Sequence, residues 1–190
     1  MATQTFNNLN PQKQEKIITV LYRIFCKKPF HEVTVNEIVQ ELQIARGSFY
    51  QYFENLESAY FFILNRELID IHRLFLTTLQ ERQGDLKVTF REYGDRIITI
   101  LFAEEHYGMY KNCFLYRDED LERKWEALRH DHCKVFVPDD AVSFLDIDQV
   151  QFIKGVIHTL IERNFREEWS QEEFRQKYNH YVGWILQGVL

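Results

Sequence analysis

Two short runs in the 190-residue chain gather side chains able to do chemistry. The first is His130-Asp131-His132-Cys133, four residues of metal-binding types. Ligands on one helix share a face at i, i+3 or i+4 spacing. His130 and Cys133 meet that spacing, and His130 and His132 do not. His106, Cys113 and His158 lie elsewhere, and no second spaced pair accompanies the first. No metal site and no cofactor is therefore expected. The second run is Arg46-Gly47-Ser48-Phe49-Tyr50-Gln51-Tyr52, which sets a guanidinium, a hydroxyl, an amide and two phenols close together. Such groups donate and accept hydrogen bonds at base edges and phosphates. Nucleophile chemistry has less support. There is no Gly-x-Ser-x-Gly elbow, Gly-rich phosphate loop or His-Glu-x-x-His helix, and no carboxylate pair stands out. The chain is not expected to be an enzyme.

The second run needs a scaffold, and helical periodicity supplies it from end to end. Only 7 Gly and 3 Pro punctuate the chain, which favours long helices. Ile17, Ile18, Leu21, Ile24 and Phe25 form an apolar stripe on a first helix, Asn10 to Lys28, with Pro11 in its first turn and Pro29 at its end. Thr34 and Glu37 have capping-box spacing, so a second helix starts at Val35 and stops near Gln43. A third short helix carries Ala45 to Phe53. Two short helices across a tight turn, the last two of three, outline a helix-turn-helix. Beyond it the periodicity predicts a long helix from Asn55 to Gln83 and another from Leu86 to Glu105. A break is expected at His106-Tyr107-Gly108, then shorter helices near Met109–Tyr116 and Glu119–Val135, and a loop at Pro138-Asp139-Asp140. Two long helices finish the chain, Ile147 to Trp169 and, after a Ser170/Glu173 capping box, one to the C-terminus.

Charge agrees only in part. Net charge is -6, which argues against nucleic-acid binding. Residues 1–55, however, hold 6 Lys and Arg against 5 Asp and Glu, so the acidity lies in the rest. Cys26, Cys113 and Cys133 give no disulfide framework. No signal peptide and no run of about 18–20 uncharged apolar residues is present. A cytoplasmic protein with reduced thiols is expected.

Residues 13–64 resemble the TetR family of bacterial transcriptional repressors. The resemblance rests on Ile17, Phe25, Phe30, the run Val33-Thr34-Val35-Asn36-Glu37-Ile38, and Gly47-Ser48-Phe49-Tyr50-Gln51-Tyr52-Phe53-Glu54-Asn55. It implies an all-α protein: a three-helix helix-turn-helix DNA-binding head at 1–55 and a helical ligand-binding and dimerisation body at 56–190. It further implies a repressor that leaves its operator when a small-molecule effector binds. Thr34, Arg46, Gly47, Ser48, Tyr50, Gln51 and Tyr52 are the candidate DNA contacts. Tyr50 is the phosphate-anchoring tyrosine by resemblance, and Thr34 matches a family position that contacts phosphate. For Tyr50 and Tyr52 the alternative is packing in the head; for Ser48 and Gln51 it is simple solvation. The chain departs from the family pattern at Pro29 in place of glycine, at Ala45 in place of a Ser or Thr cap, and at Leu56 in place of a phosphate-binding lysine.

The aromatic share is 15%, which suits large cores or an aromatic-lined cavity. Candidate effector-lining residues are Phe61, Leu64, Phe75, Phe90, Tyr93, Phe102, Tyr110, Phe114 and Trp125, for each of which core packing is the alternative. The last two helices carry apolar stripes from which a two-fold dimer interface is expected: Ile153, Val156, Ile157 and Leu160 on one, Phe174, Tyr178, Tyr181 and Ile185 on the other. Gly155 and Gly183 would allow close helix approach. The expected partners are a pseudo-palindromic double-stranded DNA operator, a second copy and an unidentified effector, with no membrane. Two other classes remain open: a metal-responsive regulator of the same fold, and a helical interaction protein that has lost DNA binding.

Overall fold

A computed structural model describes residues 2–116, 119–121, 123–125 and 144–188. Among these residues every regular element is helical. The chain forms two compact units, one of residues 1–68 and 104–125, the other of residues 69–103 and 126–190.

The first unit opens with a helix missed in the sequence, α1 (Gln4–Asn7), capped by the Thr3 hydroxyl. Next come α2 (Pro11–Lys27), a 3-10 turn at Phe30–Glu32, α3 (Val35–Leu42), α4 (Arg46–Tyr52) and α5 (Leu56–Glu67). The expected α2 stripe is buried, with Leu21 fully enclosed. Gln43 turns the chain between α3 and α4 with a φ of 56°, in the left-handed region. The Thr34 hydroxyl caps α3, accepting from the Glu37 amide at 3.2 Å. The return half of the expected capping box does not form, because the Glu37 carboxylate pairs with Lys28 instead, at 2.8 Å.

The helix that follows in this unit corrects the sequence reading, and residues 119–121 and 123–125 beyond it are helical too, where a helix near Glu119–Val135 was expected. α8 (Glu104–Leu115) runs through His106-Tyr107-Gly108, where a break was expected. α8 packs on α2. A Cβ at Gly108 would lie 2.6 Å from the Cys26 carbonyl oxygen, so the glycine serves close approach, not a turn. The Asn112 amide donates to the carbonyls of Phe25 and Cys26 at 2.9 and 3.1 Å, tying α8 to the end of α2.

The second unit holds α6 (Ile71–Glu81), α7 (Leu86–Leu101), α9 (Ile147–Glu167) and α10 (Gln171–Gly188). The predicted helix from Asn55 to Gln83 is therefore two helices. Leu68 is extended, and Asp70 starts α6 by accepting from the amides of His72 and Arg73 at 3.0 and 3.1 Å. α7 likewise ends at Leu101, short of the expected Glu105. Asp146 and Gln149 close a full capping box at α9. Ser170 and Glu173 close the expected one ahead of α10. α7 packs on α6 and α10, and α9 on α10. Tyr178 lies over Gly94 and donates its hydroxyl to the Phe90 carbonyl at 2.7 Å. No helix among the described residues is long and apolar enough to cross a membrane.

Candidate nucleic-acid interface

α4 presents one face to solvent and buries the other. Arg46, Gly47, Tyr50 and Gln51 are exposed and Ser48 is half-buried. Phe49 and Phe53 are buried against one another and hold the helix down. Tyr52, expected beside Tyr50 as a DNA contact, is turned inward at 5% exposure and meets the Phe6 ring edge-on. Tyr50 keeps 44% of its surface exposed. The inward side of a helix this short is set by the i, i+3, i+4 pattern, and Phe49, Tyr52 and Phe53 follow it.

The exposed face is organised. Arg46 donates through Nη1 to the Asn36 side-chain oxygen at 2.5 Å and through Nη2 to the Tyr50 hydroxyl at 3.2 Å. Its guanidinium also lies 5.8 Å from the Tyr50 ring centre. Asn36, in the first turn of α3, was not singled out in the sequence. Only its place beside Thr34 at the helix start hinted at it. Thr34 is exposed, and its hydroxyl accepts the Glu37 amide while keeping its own proton to donate. Gly47 has nothing within 4 Å of where a Cβ would stand, so its smallness is not required by packing within the chain. Ala45 gives α4 no side-chain cap, as its type implies. Leu56 stands in the first turn of α5, which Asn55 caps through the Ser58 amide at 2.7 Å.

Residues before α2 brace this helix, which sequence reasoning missed. The Thr3 hydroxyl donates to the Gln51 carbonyl at 2.6 Å, and the Thr3 amide to the Tyr52 carbonyl at 3.0 Å. Phe6 is buried among Tyr52, Phe53 and Phe62. Two orphan carbonyls at the end of α4 are thereby satisfied. The readable signal was the Thr3 to Phe6 capping distance ahead of an apolar residue.

The candidate effector residues divide between the units. Phe61, Leu64 and Tyr110 are buried in the first, where Phe114 and Trp125 are half-buried. Trp125 stacks on Phe61 and donates to Asn65 at 3.1 Å. Phe75, Phe90 and Tyr93 are buried in the second unit, and half-buried Phe102 packs edge-on against Phe174. Within each unit these side chains pack as core.

Of the eight candidate dimer residues, Ile153, Ile157, Leu160, Phe174, Tyr178 and Ile185 are buried within their own unit. Val156 and Tyr181 are half-buried, and the Tyr181 hydroxyl accepts from Arg163 at 2.7 Å. The expected stripe is the inner face of the helix pair. The outer face carries Phe152, Gly155 and Thr159 on α9, and His180 and Trp184 on α10.

His130 to Cys133 lie outside the described residues, among which no group of three or more His, Cys, Asp or Glu could hold a metal. His106 meets the Tyr22 hydroxyl through Nδ1 at 2.7 Å. Burial pushes the Cys26 thiol up, away from the thiolate a nucleophile requires.

A capped helix, a tight turn and a second helix with Arg46 and Tyr50 turned outward form the helix-turn-helix of a DNA-binding regulator. Residues 86–188 match the family model of the tetracyclin repressor C-terminal domain, and residues 17–58 match that of bacterial regulatory proteins of the tetR family. The chain belongs to the TetR family, whose members are DNA-binding regulators and not enzymes. It is 40% identical over 47 residues to the uncharacterized HTH-type transcriptional regulator YerO of Bacillus subtilis (strain 168). That stretch is 25% of this chain and 16% of the relative's length. Among solved structures, the fatty acid degradation regulator FadR from Bacillus halodurans superposes with a TM-score of 0.63 at 13% identity, covering 96% of this chain and 98% of that one. A TetR family transcriptional regulator from Chloroflexus aurantiacus J-10-FL gives 0.52 at 21% identity, with 99% and 98% covered. At such identities the likeness is one of fold.

Proposed function

We propose that the protein is a cytoplasmic dimeric repressor that grips a pseudo-palindromic operator through α3 and α4 and leaves it when a small-molecule effector binds the helical body. The observation that carries the DNA reading is the outward cluster of Asn36, Arg46 and Tyr50 on helices held from behind by Phe49 and Phe53. Arg46 is the base reader, its guanidinium suited to the O6 and N7 of guanine. Tyr50 and Thr34 bind phosphate, Thr34 at the positive end of α3. Ser48 and Gln51 contact bases or backbone beside them, and exposed Gly47 lets the helix backbone come close to base edges. Tyr52 acts from inside, as packing.

A dimer sets two such helices at half-sites one helical turn apart. The outer face of α9 and α10 is the proposed two-fold interface. The effector reading rests on the aromatic content of the body, which suits an apolar or aromatic molecule.

The test is a mobility shift on DNA from the gene's own upstream region against non-specific competitor. The native protein should give a competitor-resistant shift. Arg46→Ala should abolish it while leaving the far-ultraviolet circular dichroism and thermal midpoint unchanged. A folded Arg46→Ala protein with undiminished binding would sink the assignment.

A further inference from the structure

Two histidines that DNA binding does not use meet in the second unit. His72 stands in the first turn of α6 and His158 lies 86 residues further on, within α9. Their Nε2 atoms are 2.6 Å apart, while the ring centres are 4.5 Å apart and the planes differ by 26°. The rings are thus closest at the ε nitrogens and open away from them. Both side chains are half-buried, so solvent reaches the pair. At this distance one ring donates a proton and the other accepts it. Two imidazolium ions could not share the contact, so at least one ring keeps its lone pair.

We propose that His72 and His158 form a two-imidazole site for a divalent transition-metal ion of the zinc, nickel or copper class. Imidazole nitrogen suits these ions, whereas calcium and magnesium take oxygen. Zinc–imidazole bonds of about 2.0–2.1 Å at a tetrahedral angle set the two nitrogens about 3.3 Å apart. The rings must therefore part by about 0.7 Å at their ε edges, a small side-chain rotation. For both Nε2 atoms to ligate, the donor ring must give up its Nε2 proton, either to its own Nδ1 with no net release or to solvent. A singly protonated pair releases one proton. Among the described residues no group of three or more His, Cys, Asp or Glu gathers here, so the proposal commits to these two ligands alone. Lys154 stands one turn before His158 on α9, and the Asp70 carboxylate accepts from the His72 backbone amide at 3.0 Å. The bound ion would clamp the start of α6 to α9.

The site stands apart from the DNA reading, and so does its test. The full chain, stripped with chelator, is titrated with zinc chloride and with nickel chloride by calorimetry. One ion should bind per chain. His72→Gln and His158→Gln should each weaken it by more than about tenfold, the least that loss of a ligand-orienting partner usually costs. Cobalt(II) added to the native chain should broaden the imidazole proton resonances of these two histidines first, a reading that does not depend on either variant folding. Absence of binding, or native affinity in either folded variant, would show a hydrogen-bonded contact only and overturn the proposal. Broadening confined to other histidines would do the same.

Discussion

Arg46 spans from its own helix to Asn36 on the preceding one, and Tyr50 shares it. On the proposed reading of Arg46 as base reader, the guanidinium is held before DNA arrives, with less side-chain entropy left to lose on binding. Tyr50 and Tyr52 stand two residues apart but differ in burial, 44% against 5% exposed. Their hydroxyls should behave differently. A phosphate hydrogen bond lost from Tyr50→Phe should weaken operator binding by about 0.5–1.5 kcal/mol, or about 2- to 13-fold. Tyr52→Phe should stay within about twofold, since its ring is what packs. Equal losses in a filter-binding series would put both hydroxyls on DNA. A second residue-scale prediction concerns Asn164, which is 1% exposed and has neither side-chain polar atom hydrogen-bonded. A buried unsatisfied amide costs about 1–3 kcal/mol. Asn164→Leu, close in volume, should raise the thermal midpoint by several degrees. A fall would mean that an ordered water satisfies the amide.

Helices α5 to α8 show where local pattern stops being informative. The starts of α2, α3 and α4 were readable because each begins at a residue of distinct type: Asn10 before Pro11, Thr34 before Val35, and, without a cap, the run after Ala45. The outward-facing Arg46 and Tyr50 were legible for the same reason. The break at Leu68 to Asp70 was not, since its apolar residues continue the helical pattern and only the Asp70 cap marks it. Gly108 misled in the other direction. A glycine beside a histidine and a tyrosine reads as a turn, but the packing of α8 on the α2 backbone decides the matter. That packing is a contact between residues about 80 apart, which a local pattern does not encode. Asn36 and Thr3 were missed because their roles are contacts with α4. Gly108→Ala tests the interpretation. Helix propensity alone would favour alanine by about 1 kcal/mol. The new Cβ would press on a backbone carbonyl that Asn112 also holds, and overpacking costs about 1–3 kcal/mol. A backbone atom yields less than a side chain, so we expect a net loss of about 1–2 kcal/mol by urea denaturation. A gain would show that α8 stands further from α2.

At the scale of the whole molecule, burial decides which face of α9 and α10 a second copy could use. The stripe that looked like an interface in the sequence is already covered by the chain's own helices, as Leu160 and Phe174 at 0% exposure show. Periodicity identifies an apolar face but not what covers it. What remains outward is a smaller set, with Phe152 at 46% and Trp184 at 59% exposure. Gly155 and Gly183 sit beside them, and a Cβ at either would meet nothing within 4 Å in the chain. Large exposed aromatics next to small residues let two helix pairs pack closely, with the aromatics as anchors. Among the described residues the ring contacts of Trp184 are a stack on His180 and a tilted contact with Tyr181, both of its own helix, so its replacement costs the monomer little. Trp184→Glu should therefore leave folding intact and act on association. Two carboxylates brought together across a two-fold axis repel, and loss of a central tryptophan alone typically costs about 2 kcal/mol or more, close to thirtyfold in dissociation constant. Sedimentation velocity should show the variant as monomer at concentrations where the native chain is dimeric. Operator affinity should fall with it, because each half-site then binds alone and the gain from linkage is lost. A Trp184→Glu protein that stays dimeric would move the interface off this face. One that is monomeric yet binds the operator with native affinity would refute the dimeric reading of DNA recognition.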